Sequence, residues 1–460
     1  MRPSIGNGVP FVLVVWSNSV IFSICTGLTA RNHITSKLII DDAMAAIPSK
    51  EEVAQLVRQL NEVAENYDDT PDLNGYISRT TIIGKAKELQ RALITSDQTP
   101  HYHGLNMAEL VAIRTFIKLK ILDAIPPTGA ISLSDLSEVT GAQESLIERM
   151  ARILVQTGFL SQPSPSVLSY SHTKFSLSYL LDTPTSPGYL FLAMYDQWFK
   201  HVHNFDDYLE ARGQLSSARE PDDPVRNPFT HYHGKDGTPV WEIMASNPEK
   251  LEQFQRGMSG IDVAIPVTGH FDFDALKNSE EENARGVVEL VDVGGGHGEV
   301  LKQILERHKA LSAGSVVLQE RADIARLAKG PGSVLPEGVS VQEHDFMTVQ
   351  PVKGAKAYFT RMILHDYSDE VATQILKNLV PAMSHDSRVL VCEMVLPQRV
   401  DETSFAAAVL DQAVMAMGGK ERTEEGFRKV FEAAGLELVK VWRAPGVPGG
   451  CVEGRLKRSE

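Results

Sequence analysis

The chain has 460 residues, too many for one hydrophobic core, so at least two domains are expected. Hydrophobic residues make up 43% and charged residues 23%, the balance of an ordinary soluble globular protein, and a net charge of −14 argues against nucleic acid or an anionic membrane as a partner. Three scattered cysteines, Cys25, Cys392 and Cys451, are too few for a disulfide framework or a thiolate metal site, which points to a cytoplasmic protein.

The first thirty residues run against that placement. No charge falls between Arg2 and Arg31, and Pro10–Leu28 is largely apolar, the layout of a signal peptide, a marginal membrane anchor or an extension of little functional weight. The last of these is favoured, with the anchor kept open. Residues 31–100 form a helical N-terminal segment, with amphipathic helices expected over 49–66 and 83–95 and breaks at Asp68–Pro71 and Ser96–Gly104. Residues 101–185 read as three helices, over 106–122, 134–140 and 144–159, followed by a β-ribbon over 160–176, a winged-helix pattern. Its third helix balances two acids against two arginines and carries no basic stripe, so DNA binding is not expected.

Residues 186–280 are again helical and rich in aromatics and methionine. Met194, Trp198, Trp241, Met244 and Met258 are candidate walls of an apolar substrate pocket, because thioethers adapt to flat rings; plain core is the competing reading for each. Between them, 212–237 reads as a mobile loop. Two H-Y-H-G tetrapeptides, at 101–104 and 231–234, place alternate histidines that share a face if extended, but no further ligand completes either set and no metal is expected.

Residues 281–460 hold the stretch around which the chain is organised. V-V-E-L-V-D-V (287–293) reads as a buried parallel strand, Gly294–Gly296 as a tight turn, and a helix follows from Glu299. The G-G-G-x-G spacing, with no following Gly-Lys-Ser/Thr, disfavours a phosphate cradle. A second apolar strand ends at Glu320, where an acid is placed to bond ribose hydroxyls. A third tip carries Asp345 and Phe346, an acceptor beside an apolar ring that suits adenine, and a fourth strand leads into Arg361-Met362-Ile363-Leu364-His365-Asp366-Tyr367.

In this order the motifs resemble those of the plant and fungal O-methyltransferases that use S-adenosylmethionine, over about residues 101–456. The resemblance implies a Rossmann-like seven-stranded α/β domain behind a winged-helix dimerisation domain, and a homodimer. It also implies cofactor contacts from Gly294 and Gly295 (methionine end), Glu320 (ribose), Asp345 and Phe346 (adenine), and Arg361, where plant members carry Lys. Departures from the pattern are Glu320 for Asp, Ala322 for Pro, Tyr367 for Trp, and Ala416-Met417 for a more polar pair; the last puts the acceptor in doubt.

The chemistry centres on His365, just past the fourth strand at the carboxyl edge where open α/β sheets bind ligands. A phenol is mostly protonated at neutral pH, and an imidazole can take its proton. Glu393, in V-L-V-C-E, and Glu421, in G-G-K-E-R-T, are the candidates to orient that ring, and in the resembled family such residues flank the base. Asp366 is expected to help place the hydroxyl or to cap the helix near Ser368. Asp411–Met417 reads as a further pocket helix contributing Met415, Thr423–Gly435 as an amphipathic helix, and Leu436–Trp442 as a closing strand. The reading is an S-adenosylmethionine-dependent methyltransferase acting on a phenolic hydroxyl of an aromatic secondary metabolite such as a polyketide. A catalytically idle member of the fold and an NAD-dependent oxidoreductase stay open as alternatives.

Overall fold

The computed structural model describes residues 47–183, 186–259, 265–443 and 446–457. The apolar stretch Pro10–Leu28 lies outside the described residues, and among those residues no helix is long and apolar enough to cross a membrane.

Two antiparallel helices, Lys50–Glu65 and Leu73–Leu93, open the described chain. Ser49 and Glu52 close a capping box on the first. The second begins ten residues earlier than its apolar spacing suggested, because the Asp72 carboxylate caps it by accepting from the amides of Asn74 and Gly75. This helix reaches the C-terminal half of the chain: Lys87 pairs with Glu402 and lies 5.6 Å from the Phe405 ring.

The helix expected from 106 starts at Thr99 with Pro100 in its first turn, so the break expected over Ser96–Gly104 is shorter. Helices Thr99–Lys118, Leu133–Thr140 and Glu144–Gln156 pack around Phe116, Leu136, Ile147, Leu154 and Tyr170. Strands β1 (Ile131–Ser132), β2 (Leu160–Ser161) and β3 (Ser169–His172) form an antiparallel wing in the order β1-β3-β2. The winged-helix expectation holds.

A helical layer follows, and its first helix, Pro187–Ala193, runs directly into a π-helix over Met194–Phe199. The region read as a mobile loop carries a helix of its own, Pro228–Tyr232, capped by Asn227. It is tied internally by Arg212–Asp236 (2.9 Å) and Thr230–Asp236 (2.7 Å), and to the C-terminal domain by Asn227 Nδ2 donating to the Met417 carbonyl (3.0 Å).

The C-terminal domain is built on one sheet, in the order β10-β11-β8-β7-β4-β5-β6. Its strands are β4 (Leu290–Val293), β5 (Val316–Glu320), β6 (Ser340–Glu343), β7 (Ala357–Arg361), β8 (Arg388–Leu396), β10 (Leu436–Arg443) and β11 (Gly449–Leu456), with β9 (Arg422–Thr423) pairing to the end of β8. β4 to β8 are parallel, and β11 and β10 add an antiparallel edge. The parallel strands bury both faces: in β8, Val389 and Val391 join one core while Leu390 and Cys392 join the other. β11 completes the expected count of seven strands, although no segment was assigned to it from the sequence. Gly454 is needed there, because a Cβ would sit 2.1 Å from the Phe431 ring of the covering helix Glu424–Ala433.

Candidate active site

Parallel strands with a strand-order reversal beside β4 leave a crevice at their carboxyl ends, and the glycine turn lies there. The amides of Gly294 and Gly295 are spent on the Gln319 carbonyl (2.9 and 3.3 Å) and that of Gly298 on the Gly295 carbonyl, so the turn offers no cluster of bare N–H groups to a phosphate. The two glycines serve different ends. Gly294 has φ +75°, and a Cβ there would meet Ile363 and Phe346 at 2.8 and 3.6 Å, filling the cleft. Gly295 instead lies against the protein: a Cβ would sit 2.2 Å from Asp292 Oδ2.

Asp292 is the residue sequence reasoning passed over. It is buried at the end of β4, its Oδ2 has no hydrogen-bond partner, and burial followed by the nearby Glu320 charge raises its pKa to about 7. An acid in an otherwise apolar buried strand is the signal that could have found it. Glu320, at the tip of β5, accepts from the Gly296 amide (3.3 Å) and the Arg321 amide (2.6 Å), and burial raises its pKa. Phe346 is half-buried, edge-on to Tyr367 with centroids 6.1 Å apart. Asp345 is exposed, and its Oδ1 accepts from the Met347 amide (2.9 Å). Arg361 Nη2 donates to the Ile265 carbonyl (2.7 Å), joining the sheet edge to the helical layer.

His365 sits in a single 3₁₀ turn, Leu364–Asp366, and is only 4% exposed. Its Nδ1 is 2.7 Å from Glu421 Oε1, and its Nε2 is 3.5 Å from Asp366 Oδ1. With Nδ1–H donating to the carboxylate, the assigned tautomer leaves the lone pair on Nε2. Burial opposes charge on this ring, but Glu421, Asp366 and Glu393 outweigh it and raise its pKa to about 10. Burial likewise raises Asp366 to about 6 and Glu393 to about 7, each pulled back by the His365 charge.

Two sequence expectations need correcting here. Glu393 does not bond the imidazole: its Oε1 accepts from the amides of Ile363, Leu364 and His365 (3.2, 2.6 and 3.3 Å), so it holds the turn rather than the ring. Asp366 does not cap the next helix; Ser368 does, accepting from Val371.

The six pocket candidates divide. Trp198 and Met244 are fully buried in the core between the helical layer and the sheet, with Trp198 edge-on to Phe254 at 5.4 Å. Met194, Trp241 and Met258 are partly buried against that core, and Met415 is half-buried in the 3₁₀ turn Met415–Met417. The tetrapeptide histidines lie in or at the ends of helices, so the extended geometry that would let them share a metal does not occur.

A Rossmann-like sheet with an acid under its glycine turn, another at the second strand tip and a buried His–Glu pair just past β7 is the layout of a domain that binds a nucleoside-containing ligand. Comparison with known proteins narrows this. Residues 218–437 match the model of the O-methyltransferase domain, and 105–182 that of the O-methyltransferase dimerisation domain. The chain is 32% identical to methyltransferase cfoD of Aspergillus candidus, with 82% of this chain and 92% of that protein covered. It is 33% identical to O-methyltransferase hmp5 of Hypomyces subiculosus, over 75% and 83%. The crystal structure of OxaC in complex with sinefungin and meleagrin superposes with a TM-score of 0.76 at 25% identity, covering 89% of this chain and all of that one. The chain belongs to the O-methyltransferase family, and its methyl donor is S-adenosylmethionine. The cleft fits that donor, since the orphaned Asp292 carboxylate suits its ammonium group and the Glu320 strand tip its ribose.

Proposed function

We propose that the enzyme methylates a phenolic hydroxyl of an aromatic small molecule, a secondary metabolite such as a polyketide, with His365 Nε2 as the proton acceptor. The observation that carries this reading is the buried 2.7 Å bond between His365 Nδ1 and Glu421 at the carboxyl edge of the sheet. It orients the ring, sets the tautomer and stabilises the imidazolium that forms when a hydroxyl gives up its proton. S-adenosylmethionine, when bound, supplies the methyl group from its sulfonium. Gly294, Gly295 and Asp292 hold its methionine end, Glu320 its ribose, and Asp345 and Phe346 its adenine, with Arg361 fixing the edge of the cleft.

The Glu421, Asp366 and Glu393 carboxylates outweigh burial and raise the His365 pKa, so the neutral ring is a stronger base toward a phenol than a free imidazole. An aliphatic alcohol, far less acidic, would gain little from the same base. Asp366, 3.5 Å from Nε2, is placed to help orient the hydroxyl. Met194, Trp241, Met258 and Met415 supply the apolar, polarisable wall that a flat ring requires, while the fully buried Trp198 and Met244 belong to the core beside it. The dimerisation domain supports a homodimer assembled through residues 105–182.

The test is a panel of orcinol, 2-naphthol, a hydroxyanthraquinone and their O-methyl ethers, assayed with wild type and H365Q. Phenols are methylated and the blocked ethers are not; transfer to the ethers, or undiminished turnover by H365Q, sinks the reading. For the cofactor contact, Glu320→Ala is expected to weaken S-adenosylhomocysteine binding about 10- to 100-fold by calorimetry, the scale of a hydrogen bond to a charged group. Unchanged affinity would move the ribose contact elsewhere.

A further inference from the structure

The turn that carries His365 has little to hold its own shape. It is one 3₁₀ turn with two internal bonds, Asp366 N–H to Ile363 O (3.2 Å) and Tyr367 N–H to Leu364 O (3.1 Å). It also starts from strain: Met362, the residue leaving β7, has φ +53°, in the left-handed region that a long side chain seldom adopts. Something outside the turn has to determine it.

Two buried charged groups do so from opposite edges. On the amide edge, Glu393 Oε1 receives the three N–H groups of Ile363, Leu364 and His365. On the carbonyl edge stands Arg422, 2% exposed although it is among the largest side chains in the molecule. Its Nη1 donates to the Leu364 carbonyl (2.9 Å) and the Lys420 carbonyl (3.2 Å), its Nη2 to the Tyr367 carbonyl (2.8 Å), and its Nε to Asp369 Oδ1 (2.8 Å). Between these, the Lys420 amide donates to the His365 carbonyl (2.7 Å). Arg422 therefore spans the two carbonyls that bracket His365 and Asp366. A planar guanidinium fork can bridge two such acceptors, and an ammonium cannot do so with the same geometry. A buried guanidinium is costly to desolvate, so one committed mainly to backbone carbonyls is placed for what it holds.

We infer that Arg422 is a positioning residue for methyl transfer: by gripping the Leu364 and Tyr367 carbonyls opposite the Glu393 clamp, it sets the turn that aims His365 at the acceptor hydroxyl. This rests on the reading of His365 as proton acceptor, and the experiment separates the two. The turnover of 2-naphthol, or of whichever panel phenol reacts fastest, is measured for wild type, R422K, H365Q and the double variant, with S-adenosylhomocysteine affinity measured on each. R422K is expected to lower kcat about 100-fold, the scale of an ångström-size misplacement, while cofactor affinity and acceptor KM stay within about threefold. In the H365Q background the same change is expected to cost nothing further, because Arg422 acts through that ring. Undiminished kcat in R422K, loss of cofactor affinity in parallel with kcat, or losses that multiply in the double variant would each overturn the assignment. Wild-type turnover by H365Q would instead remove the base reading itself. If R422K does not fold, R422Q goes through the same cycle; failure of both to fold would assign Arg422 to folding and overturn the positioning role.

Discussion

The His365 turn and the proposed acceptor wall are built on opposite principles. The turn is polar, buried and bonded on every side: Glu421 on the ring, Glu393 on the amides, Arg422 and Lys420 on the carbonyls. The proposed wall is methionine and aromatic, with Met194, Trp241 and Met258 packed against the apolar core. Proton transfer tolerates little displacement, so the reacting group is fixed by directional bonds in a low-dielectric setting. Recognition of a flat apolar ring depends on contact area, which flexible thioethers supply without strict geometry.

That contrast can be broken from the polar side. H365Q is expected to lower kcat about 10²- to 10⁴-fold, the range for removing a general base, with cofactor affinity retained. A smaller loss comes from Gly419→Ala. A Cβ there would sit 2.3 Å from the His365 carbonyl oxygen, so the turn or the segment carrying Glu421 must move, and kcat should drop about 10- to 100-fold. If G419A matches wild type, the turn is more yielding than its bonding suggests. On the wall the effect is smallest. Met415→Ala should raise acceptor KM by about tenfold or less and change kcat within about threefold, since lost apolar contact weakens ground and transition states alike. A large kcat effect with unchanged KM would erase the distinction between the two regions.

Local pattern made much of this legible. The apolar runs of β4, β5, β7 and β8, the glycine turn, and the helix cap at Thr423 follow from strand burial, chain reversal and capping chemistry over a few residues. His365 and Glu421 were found because their surroundings are distinctive, and the pair meets as expected. What escaped depends on contacts across the chain. Arg422 reads as one more basic residue until its partners, 58 and 55 residues upstream, are brought beside it. Glu393 was assigned to the ring because sequence order says that it comes near, not which edge of a turn it meets. Asp292 looked like an interruption in an apolar strand, although an unpartnered buried acid is the more informative reading. In β11 the need for Gly454 is set by Phe431 on another element, which the local sequence does not show.

The central claim is that His365, held by Glu421, takes the acceptor proton, and the pH dependence of phenol methylation tests it most directly. With its pKa raised to about 10, the free ring is charged at neutral pH, and the imidazole able to accept a proton grows as pH rises. Wild-type kcat/KM should therefore rise through pH 7–9, bend at about pH 10 and level off only above it. In Glu421→Gln the anion that raises the ring pKa is gone, burial is opposed less, and the inflection should move to lower pH at a reduced plateau. A profile flat across this range, or one whose inflection E421Q leaves in place, would contradict the account.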